Sequence, residues 1–227
     1  MKLSQNTINL FQSFSQISSN LLVKPGNKLA TRNGPVNSIQ ARAVVEETFP
    51  IQFAIYDLNQ LLSLISVSQD PDIEFGEKSM IIRSGDGGEI EYFYADPTLV
   101  TAPAENPPQL EDIFTFDLSS SDISTIVKTA SIVSATMMSI EAKNGKVTLS
   151  INDPKNNTSH SFKKTLGTSD LSFNVKMSID SFKVAPDTYN VRIAYAIGKS
   201  GKVLVFFFES SSRSLAYLIA ADTSSKA

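Results

Sequence analysis

Residues 3–17 read LSQNTINLFQSFSQI, and residues 118–132 read LSSSDISTIVKTASI. In both stretches apolar residues recur mainly at spacings of three, four or seven, which is typical of an amphipathic helix. A serine, Ser4 or Ser119, precedes each apolar run and predicts a hydrogen-bonded helix N-terminus. The pattern therefore predicts one helix over 3–21 and another over 119–133.

The two stretches also match each other at an offset of 115 positions, about half of the 227 residues. Leu3 aligns with Leu118, and Ser4 aligns with Ser119. A second match lies at an offset near 120, where FAI (53–55) before DLN (57–59) parallels FNV (173–175) before SID (178–180). Two matches at nearly the same offset predict a duplicated domain.

Most of the remaining sequence predicts β-strands, because its runs alternate apolar and polar residues or are rich in β-branched and aromatic residues. Two short apolar stretches, 58–65 and 179–184, each follow a predicted strand and predict short helices. Each half then reads helix, strands, short helix, strands, which predicts an α+β fold. The predicted strands are 51–55, 90–94, 147–151, 189–197, 203–208 and 214–220.

A proline-rich segment, 95–112, lies between the halves and holds four of the ten prolines. Proline removes a backbone donor and restricts the residue before it, so this segment is predicted to be an extended connector, neither strand nor helix. The predicted organisation is a first domain over 1–95, a connector over 96–112 and a second domain over 113–227.

Composition excludes several classes of function. The chain has no cysteine, which excludes disulfides, cysteine zinc sites, iron–sulfur clusters and thiol nucleophiles. Its formal net charge of −3 argues against coating nucleic acid by bulk charge. The single histidine, His160, lies in a polar stretch with no carboxylate beside it in sequence, and the carboxylates form no cluster suited to metal binding or acid–base catalysis. No apolar run is long enough to span a membrane. We therefore predict no enzyme activity, no cofactor, no metal and no membrane association.

Several phrases together resemble the sliding clamps of T-even-type bacteriophages, which are similar to the PCNA-like clamps. The resemblance covers nearly the whole chain and keeps the order of elements, although no single motif is diagnostic. It departs from the family in the first helix, where glutamines stand at positions expected to carry lysine or arginine. The phrases are MKLS (1–4), AIYDLN (54–59), ADP (95–97) with Val100 and Pro103, NGKV (144–147), and 217–222 with Thr223.

The resemblance implies two similar domains of the DNA-clamp fold, with helices on one face of antiparallel sheets. Three copies would form a closed ring, a homotrimer, around duplex DNA without reading its sequence. The ring would tether the replicative DNA polymerase for processive synthesis, receive a clamp loader, and act in the cytoplasm of the infected bacterial host. The clamp itself would do no chemistry.

The resemblance also implies a lumen with enough positive charge to tolerate phosphates, and few close contacts so that the ring can slide. Lys2, Lys128 and Lys183 are predicted to face the lumen, because each lies on or beside a predicted helix. The alternative is that they are ordinary solvated lysines.

Subunits of such a ring are expected to join head to tail by pairing exposed edge strands. The predicted edge of the first domain is 89–94, and that of the second is 160–165. One edge is acidic and the other basic, so their pairing would be electrostatically complementary, unless both charge sets merely solvate strand faces. The predicted interface residues are Glu89, Glu91, Tyr92, His160, Phe162, Lys163 and Lys164.

Clamps of this kind receive short peptide tails of partner proteins in an apolar pocket beside the connector. The alternative for the residues at that position is that they close the domain core. The predicted pocket residues are Leu99, Val100, Leu110, Leu218 and Ala220.

Two other functions stay open at this stage. One is a non-enzymatic phage structural or adaptor protein with a two-domain, β-rich fold, which would need neither the duplication nor the lysines beside the helices. The other is an enzyme that acts through scattered carboxylates.

Overall fold

The computed structural model describes residues 1–34, 37–156, 158–198 and 201–227, which form two compact units, Met1–Ala104 and Glu105–Ala227. No helix in these ranges is long and apolar enough to cross a membrane. The first unit contains α1 (Gln5–Ile17), β1 (Leu21–Val23), β2 (Gly26–Arg32), β3 (Ile39–Phe49), β4 (Phe53–Ile55), α2 (Leu58–Val67), β5 (Asp72–Phe75), β6 (Ser79–Arg83) and β7 (Glu89–Phe93).

Both helices of the first unit begin at a side-chain cap. The hydroxyl of Ser4 accepts a hydrogen bond from the Thr7 N–H at the start of α1. The carboxylate of Asp57 accepts from the N–H groups of Asn59 and Gln60 at the start of α2. Each cap satisfies backbone donors that have no partner inside the helix. Phe11 and Phe14 of α1 are fully buried, so the predicted apolar stripe faces the core.

The strands of the first unit pair antiparallel. β1 pairs with β4, β2 pairs with β3, and β5, β6 and β7 form a three-stranded sheet in that order. Four phenylalanine rings stack or meet edge to face in the core, with centroids 5.3–6.5 Å apart. These rings are those of Phe11, Phe49, Phe53 and Phe75.

From its helix onward the second unit follows a similar order, with a 3₁₀ turn, Ile179–Ser181, at the place of the second helix and with mostly longer strands. Its helix α3 carries a capping box, in which the Ser119 hydroxyl accepts from the Asp122 N–H and the Asp122 carboxylate accepts from the Ser119 N–H. Its elements are β8 (Gln109–Leu118), α3 (Ser120–Ile132), β9 (Met137–Lys143), β10 (Lys146–Asn152), β11 (Phe162–Thr168), β12 (Phe173–Ser178), β13 (Tyr189–Gly198), β14 (Gly201–Ser210) and β15 (Leu215–Ala220).

Two antiparallel arrays build the second unit. One is a four-stranded sheet in the order β11-β10-β9-β12. In the other, β13 pairs with β8 and β14, and β14 pairs with β15. The free edge of β12 is covered by the end of the chain, because Asn174 and Lys226 form a backbone bridge.

The predicted α+β fold is confirmed, and the duplication is visible in the elements. α1 and α3 each have 13 residues, and their first residues, Gln5 and Ser120, stand at the offset of 115 at which the two sequences match. The two helices are shorter at their C-terminal ends than predicted, because the segments after Ile17 and Ile132 turn away toward the next strands.

Two element predictions are wrong. The stretch 179–184 is not a helix but a single 3₁₀ turn, Ile179–Ser181. Pro186 follows closely and disfavours a helical conformation at Ala185, while Phe182 and Val184 are buried in the core. The end of the predicted connector, Gln109–Asp112, belongs to β8, because it lies beyond the last proline and pairs with β13.

Candidate functional site

The three lysines predicted to face DNA lie in different surroundings. Lys2 precedes α1, is exposed and forms an ion pair with Asp70. Lys128 is exposed in the middle of α3, and Lys183 is exposed just after the 3₁₀ turn. Neither Lys128 nor Lys183 has an ion-pair partner among the described residues.

The helices of the first unit carry no charged residue at all. Their exposed positions are occupied mainly by amides and serines, some of which bond locally, such as Gln5 to Asn9 at 2.9 Å. The lack of lysine noted in the sequence of the first helix is therefore shared by α2. The exposed amides are Gln5, Asn6, Asn9, Gln12, Gln16, Asn59 and Gln60.

The acidic strand predicted to meet a neighbouring subunit is β7, at one edge of its sheet. Within the described residues, β7 pairs with β6 alone. Glu89 accepts a hydrogen bond from Arg83 at 2.8 Å, and Glu91 accepts one from Ser79 at 2.7 Å. The Arg83 guanidinium thus balances part of the negative charge of β7 inside the chain. Arg83 shares its charge between Glu89 and Glu74.

Two aromatic residues of β7 divide between core and surface. Tyr92, predicted at the interface, is only 8% exposed, whereas Phe93 is 67% exposed. Burial raises the pKa of the Tyr92 phenol. Alternation along the strand places these neighbours on opposite faces, so Phe93 takes the surface position. Sequence reasoning missed Phe93, although its place next to Tyr92 in an edge strand was a usable signal.

The basic strand predicted to meet β7 is β11, which forms one edge of the four-stranded sheet and pairs with β10 alone in the described part of the chain. Lys163 is exposed and without an ion-pair partner there. His160 is exposed and precedes the strand, so the predicted strand start at 160 is wrong by two residues. The Ser159 N–H donates to the Asn156 carbonyl at 3.0 Å, and pairing with β10 begins only at Phe162.

Lys164 points to the opposite face of β11 and forms an ion pair with Asp122, in the capping box of α3. Burial tends to raise the pKa of Asp122, but hydrogen bonds from Lys164 and Ser119 outweigh it and hold the pKa below its usual range. Lys164 is therefore engaged inside its own chain, and Lys163 is the lysine of this strand that is free to meet a partner.

Three of the residues predicted to form a peptide pocket lie in the second unit. Leu110 of β8 and Leu218 of β15 are half-buried and pack against a buried cluster of Ala194, Ala196 and Val205. Ala220 stands opposite Val205 in the strand register and is also half-buried. Val203 lies opposite Ala196, is 50% exposed and was missed by sequence reasoning.

The other two predicted pocket residues belong to the first unit. Leu99 closes a short 3₁₀ turn, Pro97–Leu99, and is 63% exposed. Val100 follows it and is half-buried. Asp96 caps the turn by accepting from the N–H and the hydroxyl of Thr98.

A separate groove of about 410 Å³ lies beside α3. The groove lies beside the 3₁₀ turn Ile179–Ser181, in the stretch predicted to be a short helix, and its lining is mainly apolar. Its lining is Ile126, Val127, Ala130, Ser131, Ser134, Ala135, Ile179 and Phe182. In the described residues no group of three or more histidine or acidic side chains is placed to hold a metal ion.

Comparison with known proteins finds relatives that cover most of the chain. No family model matches the chain. The sliding clamp of Vibrio phage KVP40 is 27% identical over 200 residues, covering 85% of this chain and 90% of the relative. The sliding clamp of Enterobacteria phage T4 is 28% identical over 209 residues, covering 88% of this chain and 90% of the relative.

Solved structures show the same fold at lower identity. PCNA of Thermococcus kodakaraensis superposes with a TM-score of 0.66 at 13% identity, over 96% of each chain. The resemblance seen in the sequence phrases is thus confirmed over nearly the whole length. The chain is similar to the sliding clamps of T4-type phages over most of its length, and its fold is that of PCNA.

Proposed function

We propose that three copies of the chain close head to tail into a ring that encircles duplex DNA and tethers the DNA polymerase, without catalysing a reaction. The observation that carries this proposal is the similarity to proteins named sliding clamp over 85–88% of the chain. A closed ring leaves DNA only by opening or by sliding off an end, so it needs neither tight binding nor sequence readout. It would be placed on DNA by a clamp loader and would act in the cytoplasm of the infected host.

The open edges of β7 and β11 support ring closure. They lie in different units and differ in sequence, so joining them is a heterologous contact, which can close into a ring. Glu91 on one edge and Lys163 on the other provide opposite charges, while two like edges would bring like charges together. Phe93 supplies exposed apolar area on the β7 edge.

Contact with DNA is proposed through the helices and the residues beside them. Lys128 and Lys183 are exposed and unpaired in the described chain, so they are the stronger candidates, while the charge of Lys2 is partly balanced by Asp70. The uncharged faces of α1 and α2 would release few counterions on binding, which suits a ring that slides.

Partner binding is proposed at the apolar surface around Leu110 and Leu218, with Ala220 beside them. These residues are half-buried and surround a buried alanine and valine cluster, so a partner's apolar side chain would cover area that water now contacts. Leu99 and Val100 are kept as candidates from the first unit.

The solution mass, measured by light scattering over a range of concentrations, tests the ring. We expect three times the chain mass of 24.7 kDa. Lys163→Glu should yield monomers, because it places like charges at the paired edges, while the matched change Lys155→Glu in an exposed loop should leave the mass unchanged. A dimer, or a trimer that survives Lys163→Glu, would contradict this closure.

Retention on DNA tests the topology. A ring loaded on closed circular DNA should remain through gel filtration and be lost when the DNA is cut once. Equal retention on circular and linear DNA would contradict encirclement. Lys128→Glu with Lys183→Glu should reduce retention, and a result equal to wild type would overturn their assignment to the lumen.

A further inference from the structure

The two units differ at their second helix. In the first unit, α2 packs against α1 and buries Leu58, Leu61 and Ile65. The corresponding stretch of the second unit, 179–184, forms only the 3₁₀ turn Ile179–Ser181 before the chain enters the core. About two helical turns of α2 therefore have no counterpart beside α3.

The beginnings of α2 and of the 3₁₀ turn are nonetheless built alike. The Leu58 N–H donates to the Ser19 carbonyl at 2.7 Å, and the Ile179 N–H donates to the Thr136 carbonyl at 3.1 Å. In each case the preceding residue caps the turn with a side-chain oxygen. The 3₁₀ turn is thus the equivalent, in the second unit, of the first turn of α2.

The apolar groove of about 410 Å³ lies between this turn and α3. Ile179 and Phe182 line it from the turn, and Val127 and Ala130 line it from α3. The counterparts of the two elements in the first unit, α2 and α1, are in direct contact. The groove is therefore open at a place where the first unit has helix packed against helix.

The helix α3 presents apolar side chains to this groove at positions where α1 is polar. At the offset of 115, Val127 stands at the position of Gln12, and Ala130 stands at that of Ser15. Val127 is 49% exposed, so contact with an apolar partner would remove its side chain from water. The second unit thus has an exposed apolar surface here that α1 lacks.

Positive charge borders the groove. Lys128 follows Val127 and Lys183 follows Phe182, and both lysines are exposed. Neither lysine forms an ion pair within the part of the chain that the structure describes. Asp180 is the one acidic residue next to a lining residue in the sequence, so the lysines outnumber it. The surroundings of the groove therefore favour a partner with negative charge.

We propose that this groove binds a short amphipathic helix of a second protein, whose apolar face carries leucine or isoleucine and whose ends carry aspartate or glutamate. The apolar face would take the place of the α2 turns that the second unit lacks, and the acidic residues would meet Lys128 and Lys183. Because these two lysines are also the proposed DNA contacts, the helix would dock on chains that are not around DNA.

Two fluorescent peptides test the proposal. Both contain residues 57–68 of the chain, DLNQLLSLISVS, which form α2 with its cap residues, and they carry either two glutamates or two lysines at each end. Fluorescence anisotropy with the full chain at low salt should give a dissociation constant about fivefold lower for the glutamate peptide. The difference should shrink at high salt, because salt screens exposed charges.

Variants of α3 show whether the peptides bind in the groove. Val127→Gln with Ser131→Gln introduces the residues that α1 has at the equivalent positions. This variant should weaken binding of the glutamate peptide about fivefold, because apolar contact is lost. Ile132→Gln is the matched control, since Ile132 is 81% exposed on the same helix but does not line the groove, and binding should be unchanged.

Lys128→Gln with Lys183→Gln should remove the preference for the glutamate peptide, while Lys155→Gln, in an exposed loop, should keep it. Equal binding of the two peptides to the unchanged chain would overturn the proposal, as would binding of neither peptide. Undiminished binding in Val127→Gln with Ser131→Gln would also overturn it, because the peptide would then lie elsewhere.

Discussion

Glu47 of β3 accepts a hydrogen bond from the hydroxyl of Thr7 at 2.5 Å, at the N-terminus of α1. Its carboxylate also accepts from the Ser4 N–H, and Thr7 is fully buried. Burial tends to raise the pKa of Glu47, but these hydrogen bonds outweigh it and lower the pKa. The strand thus holds the helix end through one carboxylate, which also stands near the positive end of the helix dipole.

Glu47→Gln should lower the free energy of unfolding by about 1–2 kcal/mol, because it removes a charge-assisted acceptor. Since the folded pKa is depressed, the stabilisation is present above the unfolded pKa and is lost as the pH falls through the folded value. Urea unfolding at pH 7 and at pH 3 would show it, because the difference between the two proteins should be smaller at pH 3 than at pH 7. Glu46→Gln, the exposed neighbour, should have almost no effect; equal losses in both variants would contradict the assignment.

The two adjacent lysines of β11 should have separable roles. Lys164→Met should lower the free energy of unfolding by about 1 kcal/mol, because it leaves Asp122 without its cationic partner at the start of α3. Lys163→Met should leave unfolding unchanged and weaken subunit association instead. Chemical denaturation measures the free energy of unfolding of both variants, and light scattering measures their association. Weaker association in Lys164→Met together with lower folding stability in Lys163→Met would contradict the structure.

Asp187 ties the loop before β13 to the turn after β14. Its carboxylate accepts hydrogen bonds from Ser210 and Ser212 and from Arg213 Nε at 2.8–2.9 Å, and its side chain is 12% exposed. Asp187→Ala should cost about 2–3 kcal/mol, because several donors lose their acceptor. Burial opposes ionisation but the donors outweigh it, so the pKa of Asp187 is lowered and acid should remove its stabilisation. Thermal unfolding across pH 3–7 measures this, with exposed Asp180→Asn as control; a wild-type melting curve for Asp187→Ala would refute it.

Phe93 should matter to assembly and not to folding. It is 67% exposed on the open edge of β7, so Phe93→Ser removes little buried area within one chain. We expect unchanged unfolding of the separated chain and a lower average mass in light scattering. Tyr56→Ser is a matched control, because Tyr56 is 64% exposed but precedes α2 and lies outside β7. A ring that tolerates Phe93→Ser would place the apolar contact elsewhere.

Tyr94 buries a hydroxyl that has no hydrogen-bond partner among the described residues. Burial raises the pKa of its phenol to about 12. Tyr94→Phe should therefore leave the free energy of unfolding unchanged or raise it by up to about 1 kcal/mol, because the desolvation cost disappears. The raised pKa also means that the stability of the wild type falls as the pH rises from 10 toward 12, and that this loss is smaller in Tyr94→Phe. Urea unfolding at pH 8 and pH 11 tests both statements; marked destabilisation at pH 8 would reveal a missed partner.

Much of the fold could be predicted because its determinants are local. The serine caps and the apolar spacing of α1 and α3 stand within one or two turns of each other, and strand alternation repeats every second residue. The prediction failed at 179–184, where Pro186 and the burial of Phe182 override an apolar run that looks helical. It failed again at Gln109–Asp112. The prolines of 95–112 predicted an extended connector, but pairing with β13 makes these four residues part of strand β8.

The sequence by itself determined the duplicated order of helices and strands, the acidic and basic edge strands, and the absence of thiol chemistry, because these depend on residue type and short spacing. Only the tertiary structure decided that Tyr92 is buried and Phe93 exposed, that Lys164 is held by Asp122, and that Leu110 and Leu218 both pack against the buried cluster of Ala194, Ala196 and Val205. These outcomes depend on strand register and on contacts between residues up to about half the chain apart, and no local pattern encodes a register.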